Sequence, residues 1–173
     1  AMGLDARQAT HPIQLPGVTE MGAIDAFDTI AYEKGQAFVR MLENYLGEKA
    51  FRDGIRLYLQ RHQWSNTTTE DLWVALEAAS GQPVREIASG WTLQSGFPVV
   101  TATQSNNSLH LRQERFAMDA PHSPPTLWAI PVTGAPLDDL PKARTKLMTG
   151  RETIMPWSDK LGAPKLKTSV SIE

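Results

Sequence analysis

The sequence predicts an α+β fold in two parts, a helical part over residues 1–97 and an antiparallel, β-sandwich-like part over residues 98–173. Apolar residues recur with a helical period from Phe38 to Trp91, a Gly96-Phe97-Pro98 break follows, and beyond it the period changes to two.

Phe38, Met41, Leu42, Tyr45 and Leu46 form the stripe of an amphipathic helix, and Gly47 suits the position just past its end. Phe51, Ile55, Tyr58 and Leu59 form a second stripe that restarts almost at once, so the two helices are expected to pair as a hairpin. Thr68 precedes Asp71 by three residues, the spacing of a capping box with an acid in the return position. Leu72, Trp73 and Leu76 then supply a buried face, and Gly81 ends the third helix. Pro83 fits the first position of a short fourth helix reaching about Thr92, because a helix start leaves that N–H unpaired anyway. Trp73 and Trp91 lie at helical spacing from other apolar residues and are expected in the core.

Past Pro98, strands are expected at Val99 to Thr103 and Leu109 to Phe116, joined by the polar turn Gln104 to Ser108. Leu109, Leu111, Gln113 and Arg115 share one face of the second strand. Further strands are expected at Thr126 to Val132 and Thr145 to Thr149, with Pro121 to Pro125 as a loop. So few strands suggest a partial sandwich.

Composition narrows the function. Seventeen basic and nineteen acidic residues give a net charge of −2, with no footprint for nucleic acid as a partner. No apolar run approaches the roughly 18 residues of a membrane span. Without cysteine there is no disulfide, thiol nucleophile or thiolate metal site. His11, His62, His110 and His122 include no pair one helical turn apart, so this chain lacks the HExxH helix that binds zinc. His11, beside Pro12, reads as a turn or packing residue. No GxSxG elbow, P-loop or GxGxxG run occurs.

One set of motifs is more telling. His11-Pro12-Ile13, Phe27-Asp28-Thr29-Ile30, Tyr32-Glu33-Lys34-Gly35, Arg40-Met41-Leu42, Tyr45-Leu46-Gly47-Glu48, Asp71-Leu72-Trp73 and Trp91-Thr92-Leu93-Gln94-Ser95-Gly96-Phe97-Pro98 follow one another in an order that resembles the aminopeptidase N-like zinc metallopeptidases. The likeness covers about residues 1–133 and thins beyond Val132.

The resemblance implies the helical C-terminal half of a thermolysin-like catalytic domain followed by the start of a β-sandwich domain. The family's zinc ligands and its Gly-x-Met-x-Asn run have no counterpart here, so zinc is expected in the full-length parent and none on this chain. The chain alone is expected to be an inactive fragment of an enzyme that removes N-terminal residues from peptides. Its expected partners are the peptide substrate and the missing N-terminal part of the catalytic domain.

Tyr32 matches the family tyrosine of the Tyr-x-Lys-Gly motif, implying a catalytic role. A phenol is a neutral donor at pH 7 and can hydrogen-bond the oxygen that gains charge when a scissile carbonyl is attacked. Lys34 is the candidate for contact with substrate or with the catalytic domain's carboxylates, and otherwise a surface cation. Asp28 is expected to cap the helix carrying Tyr32, and Gly35 to permit close approach of backbone or substrate. Ile24, Phe27 and Ile30 are expected on an exposed apolar face through which the fragment self-associates. The alternative is a non-catalytic relative that keeps the helical scaffold for protein–protein contacts.

Overall fold

A computed structural model describes residues 2–15, 28–119, 126–136, 144–157 and 164–168. A single turn, α1 (Met2–Asp5), precedes a five-residue π-helical turn at Ile30–Lys34 that runs directly into α2 (Gly35–Leu46). Three helices follow: α3 (Glu48–His62), α4 (Thr69–Ser80) and α5 (Val84–Thr92). The strands are β1 (Pro98–Ser105), β2 (Ser108–Arg115), β3 (Ile130–Pro136), β4 (Arg144–Met148), β5 (Glu152–Pro156) and β6 (Pro164–Thr168).

The helical signals act as their chemistry requires. Gly47 separates α2 from α3, and Gly81 closes α4 in the left-handed conformation. The Asp71 carboxylate reaches back to the N–H and hydroxyl of Thr68, at 2.7 and 2.9 Å, completing the predicted cap of α4. Pro83 lies one residue before α5 rather than within it.

The hairpin partners are less even than the stripes suggest. α3 packs tightly on α4, where a β-carbon on Gly54 would lie 2.7 Å from Leu76 Cδ2 and 3.0 Å from its Cα. Leu59, assigned to the buried stripe of α3, is instead 58% exposed.

The strands form two antiparallel sheets of three, ordered β1-β2-β5 and β4-β3-β6. Asn106 and Asn107 make the tight turn between β1 and β2, both with positive φ, a conformation asparagine tolerates better than most residues. Leu109, Leu111 and Gln113 all point inward, as their alternation predicts. β3 starts at Ile130, four residues later than the sequence suggests, and β5 and β6 carry strand structure that periodicity did not reveal.

A single hydrophobic cluster joins the helices to both sheets. Phe38 meets Trp73 edge-on at 5.6 Å and stacks near Trp91 at 6.2 Å, and Trp91 lies 6.4 Å from Trp128. The Trp91 indole N–H donates to the Ala129 carbonyl at 2.9 Å, so the ring that fills the core also orients the two parts. Gln113, fully buried, donates to the Trp128 and Gly150 carbonyls at 2.9 and 2.8 Å and accepts the Trp128 N–H at 2.9 Å. Its amide satisfies backbone groups that have no strand partner at that point.

The contact at Gly54 sets a sharp size limit. Gly54→Val gains little helix propensity and forces α3 away from α4, so it should destabilise the chain by about 1–3 kcal/mol. Urea unfolding of the variant beside the parent chain checks this.

Candidate active-site segment

The segment around Tyr32 is built from its first turn. The Asp28 carboxylate accepts the Ala31 N–H through Oδ1 at 2.8 Å, and the Asp28 carbonyl accepts the Tyr32 N–H at 3.1 Å. Asp28 thus caps the Ala31 N–H, which a helix start leaves without a partner, while its carbonyl accepts the first intrahelical bond, and the cap expected from the sequence is present.

His11 braces this cap from the other side. Its Nδ1 lies 2.8 Å from the Pro12 carbonyl and its Nε2 lies 2.6 Å from Asp28 Oδ2. Both neighbours are acceptors, so the ring satisfies both only when it donates from both nitrogens, as the imidazolium does. The Pro12 carbonyl is the first cause raising the His11 pKa above its ordinary 6.5, and Asp28 adds to it against the opposing effect of burial. The Asp28 carboxyl is held below its ordinary 3.8, first by the Ala31 N–H and then by His11. His11 is therefore more than a turn residue.

Tyr32 and Lys34 point in opposite directions from the π-helical turn. Tyr32 is 63% exposed, while Lys34 is buried. Lys34 is not the surface cation the sequence allowed. Its ammonium lies 3.1 Å from Asp5 Oδ2, 2.8 Å from the Gly96 carbonyl and 3.3 Å from the Gln94 carbonyl. Three acceptors meet the three N–H bonds of one ammonium. Burial is the first cause pushing the Lys34 pKa below its ordinary 10.5, Arg115 pushes the same way, and Asp5 pulls it back.

Asp5 completes the knot. Its Oδ1 accepts the Thr10 hydroxyl at 2.8 Å and the Gly96 N–H at 2.9 Å. Gly96 adopts φ +80°, a conformation that calls for glycine, and a β-carbon there would lie 2.7 Å from Arg115 Nε and displace that side chain. The N-terminal segment is tied down again where Gln14 N–H donates to the Thr92 carbonyl and Met118 N–H to the Ala6 carbonyl, at 2.8 and 2.9 Å.

Two expectations need correction. Ile30 is 4% exposed and belongs to the interior, because it lies on the inward side of the turn; Ile24 and Phe27 fall outside the described residues. At Gly35 the nearest atom to an added β-carbon is Ile13 Cγ2 at 4.0 Å, so no described residue requires the missing side chain. Among the described residues, no group of three His, Cys, Asp or Glu could hold a metal ion. These side chains therefore do not fit a zinc site by themselves. Asp5 had no sequence signal, since one acid near the chain start looks like any surface carboxylate.

A turn presenting a tyrosine outward, locked from within by a buried lysine, is placed here on a helical layer continuous with an antiparallel sandwich-like part. Residues 1–91 match the peptidase family M1 domain, and the chain belongs to that family. It is 44% identical over 139 residues to a puromycin-sensitive aminopeptidase of Caenorhabditis elegans, covering 78% of this chain and 15% of that protein. Aminopeptidase M1 of Arabidopsis thaliana is 44% identical over 132 residues, covering 75% of this chain and 15% of the relative. The tricorn protease-interacting factor F2 of Thermoplasma volcanium is 38% identical over 133 residues, covering 77% and 17% respectively. The chain thus spans only about 15–17% of the length of these curated relatives.

The Lys34–Asp5 pair yields a stability test. Lys34→Met leaves a buried carboxylate without its counter-ion and should destabilise the chain by about 3–5 kcal/mol. Adding Asp5→Asn should recover part of that loss, and a denaturant double-mutant cycle measures the coupling.

Proposed function

We propose that this chain supplies the oxyanion-stabilising tyrosine of an aminopeptidase. In the full-length protein the phenol of Tyr32 would donate a hydrogen bond to the carbonyl oxygen of the scissile peptide bond as attack converts it to a negatively charged tetrahedral centre. A donor fixed in place before the charge develops needs no reorganisation at that moment, which is why such groups lower the barrier.

The observation that carries this reading is the outward placement of Tyr32 on a turn held by Asp28 and Lys34. Its position within the M1-matching residues adds support. Lys34, facing inward, serves to position the turn and not to contact substrate.

Residues 1–97 act in this reading as the helical part of the catalytic domain and residues 98–173 as part of a β-sandwich domain. Zinc, as the family resemblance implies, would be held by residues outside this chain, as would the substrate's free amine. The chain by itself is then inactive. Tyr32 and Val39, both exposed and about two helical turns apart, mark the side facing the rest of the catalytic domain, and that side also favours self-association of the isolated chain.

Tyr32→Phe in the full-length protein removes one hydrogen bond and almost no volume. It should lower kcat by about 10²–10³-fold while KM stays within a few-fold. Steady-state kinetics on an N-terminal amino-acid p-nitroanilide measures both, and an unchanged kcat removes Tyr32 from the chemistry.

A further inference from the structure

We infer that His11 is a positioning residue acting through Asp28 on Tyr32, its ring holding the carboxylate that holds the turn on which the phenol stands. This inference rests on the reading of Tyr32 as a donor to the reacting oxygen. The chain of contacts is continuous: Pro12 carbonyl to His11 Nδ1, His11 Nε2 to Asp28 Oδ2, Asp28 Oδ1 to the Ala31 N–H, and the Asp28 carbonyl to the Tyr32 N–H. This contact reaches the start of the turn from a distant stretch of chain, since His11 and Asp28 are 17 residues apart.

A π-helical turn is rare, occurs mostly as a single turn joined to an α-helix, and is frequent at functional sites. Here the turn spans Ile30–Lys34, so Tyr32 is at its centre. Lys34 secures the far end from inside, and the His11–Asp28 pair secures the near end. Each member of that pair is about one-third exposed, at 34% and 33%. Solvent therefore screens their attraction, and the pair contributes direction more than stability.

The bracing depends on both ring nitrogens donating. The charged groups acting on the ring are Asp28 and, from α1, Asp5, which Lys34 partly neutralises; both acids favour the imidazolium. His11 is raised and Asp28 lowered, so the pair is whole above the lowered carboxyl value and below the raised imidazole value. As pH rises through the latter, one ring nitrogen turns a lone pair toward an acceptor and the brace loosens. The signature is an alkaline limb in kcat that follows His11.

The test uses the full-length protein with His11→Ala, His11→Gln, Asp28→Ala, the His11→Ala/Asp28→Ala double variant and Tyr32→Phe. His11→Ala and Asp28→Ala should each lower kcat about tenfold with KM within about twofold, and the double variant should fall no further than Asp28→Ala alone. His11→Gln, which donates to Asp28 without titrating, should recover most of kcat and abolish the alkaline limb. In the unmodified protein that limb should coincide with the His11 ring titration seen by NMR.

An unchanged kcat in His11→Ala, additive losses in the double variant, or an alkaline limb that persists in His11→Gln would overturn the positioning role. Thermal unfolding identifies any variant that fails to fold; if His11→Ala does, the His11→Gln pH profile decides. Tyr32→Phe separates the two readings. If it is fully active, the role of Tyr32 itself is wrong; if it is impaired while His11→Ala is not, only the brace is.

Discussion

A lysine ammonium sealed from solvent between one carboxylate and two carbonyls joins three stretches of chain that the sequence keeps far apart. Asp5 and Gly96 are 91 residues apart, and Lys34 reaches both. The attraction itself is not what makes this contact decisive, because removing two charges from water offsets much of their Coulomb gain. What matters is that every donor and acceptor in the knot has a partner only when all three stretches are in register. A slip at the junction between α5 and β1 strands a buried charge, and a buried unpaired charge is among the most unfavourable features a fold can contain.

That register passes outward to the rest of the molecule. Gly96 stands at the change from helices to strands, so its fixed position aims β1 and through it the sheet containing β2 and β5. The aromatic series Trp73, Phe38, Trp91 and Trp128 then fills the interior between the parts. Hydrophobic packing supplies most of the stability there but is tolerant of direction. The Trp91 indole and the Gln113 amide remove that tolerance, since each must meet particular backbone atoms.

Much of the helical half was legible because burial there follows a single period. Phe38, Met41 and Leu42 repeat as a stripe, and glycine closes two of the helices where the stripes end. Leu59 misled because periodicity reports which face a residue shares and not how far along a helix the cover extends. The segment Thr126 to Ala129 resembled strand by composition, yet the Trp128 and Ala129 backbone groups are taken by the Gln113 and Trp91 side chains and not by a neighbouring strand. At the candidate site, Asp28 was readable as a cap and Tyr32 through its family motif. Asp5 and the pairing of His11 were not, because a single acid or imidazole carries no period and its partner is set by tertiary approach alone.

The contrast between Tyr32 and Lys34 explains how a helical turn can present one side chain with little freedom in its backbone. An alkyl side chain in place of Lys34 would fill similar space and avoid the desolvation of an ammonium. It would also take the ammonium's donors away from the Gln94 and Gly96 carbonyls and from Asp5 Oδ2. The ammonium, with three donors, serves all three at once. Its demand for all three fixes the rotation of the turn about its axis, and with the inward residue fixed, the residue two positions earlier has no choice but to face outward.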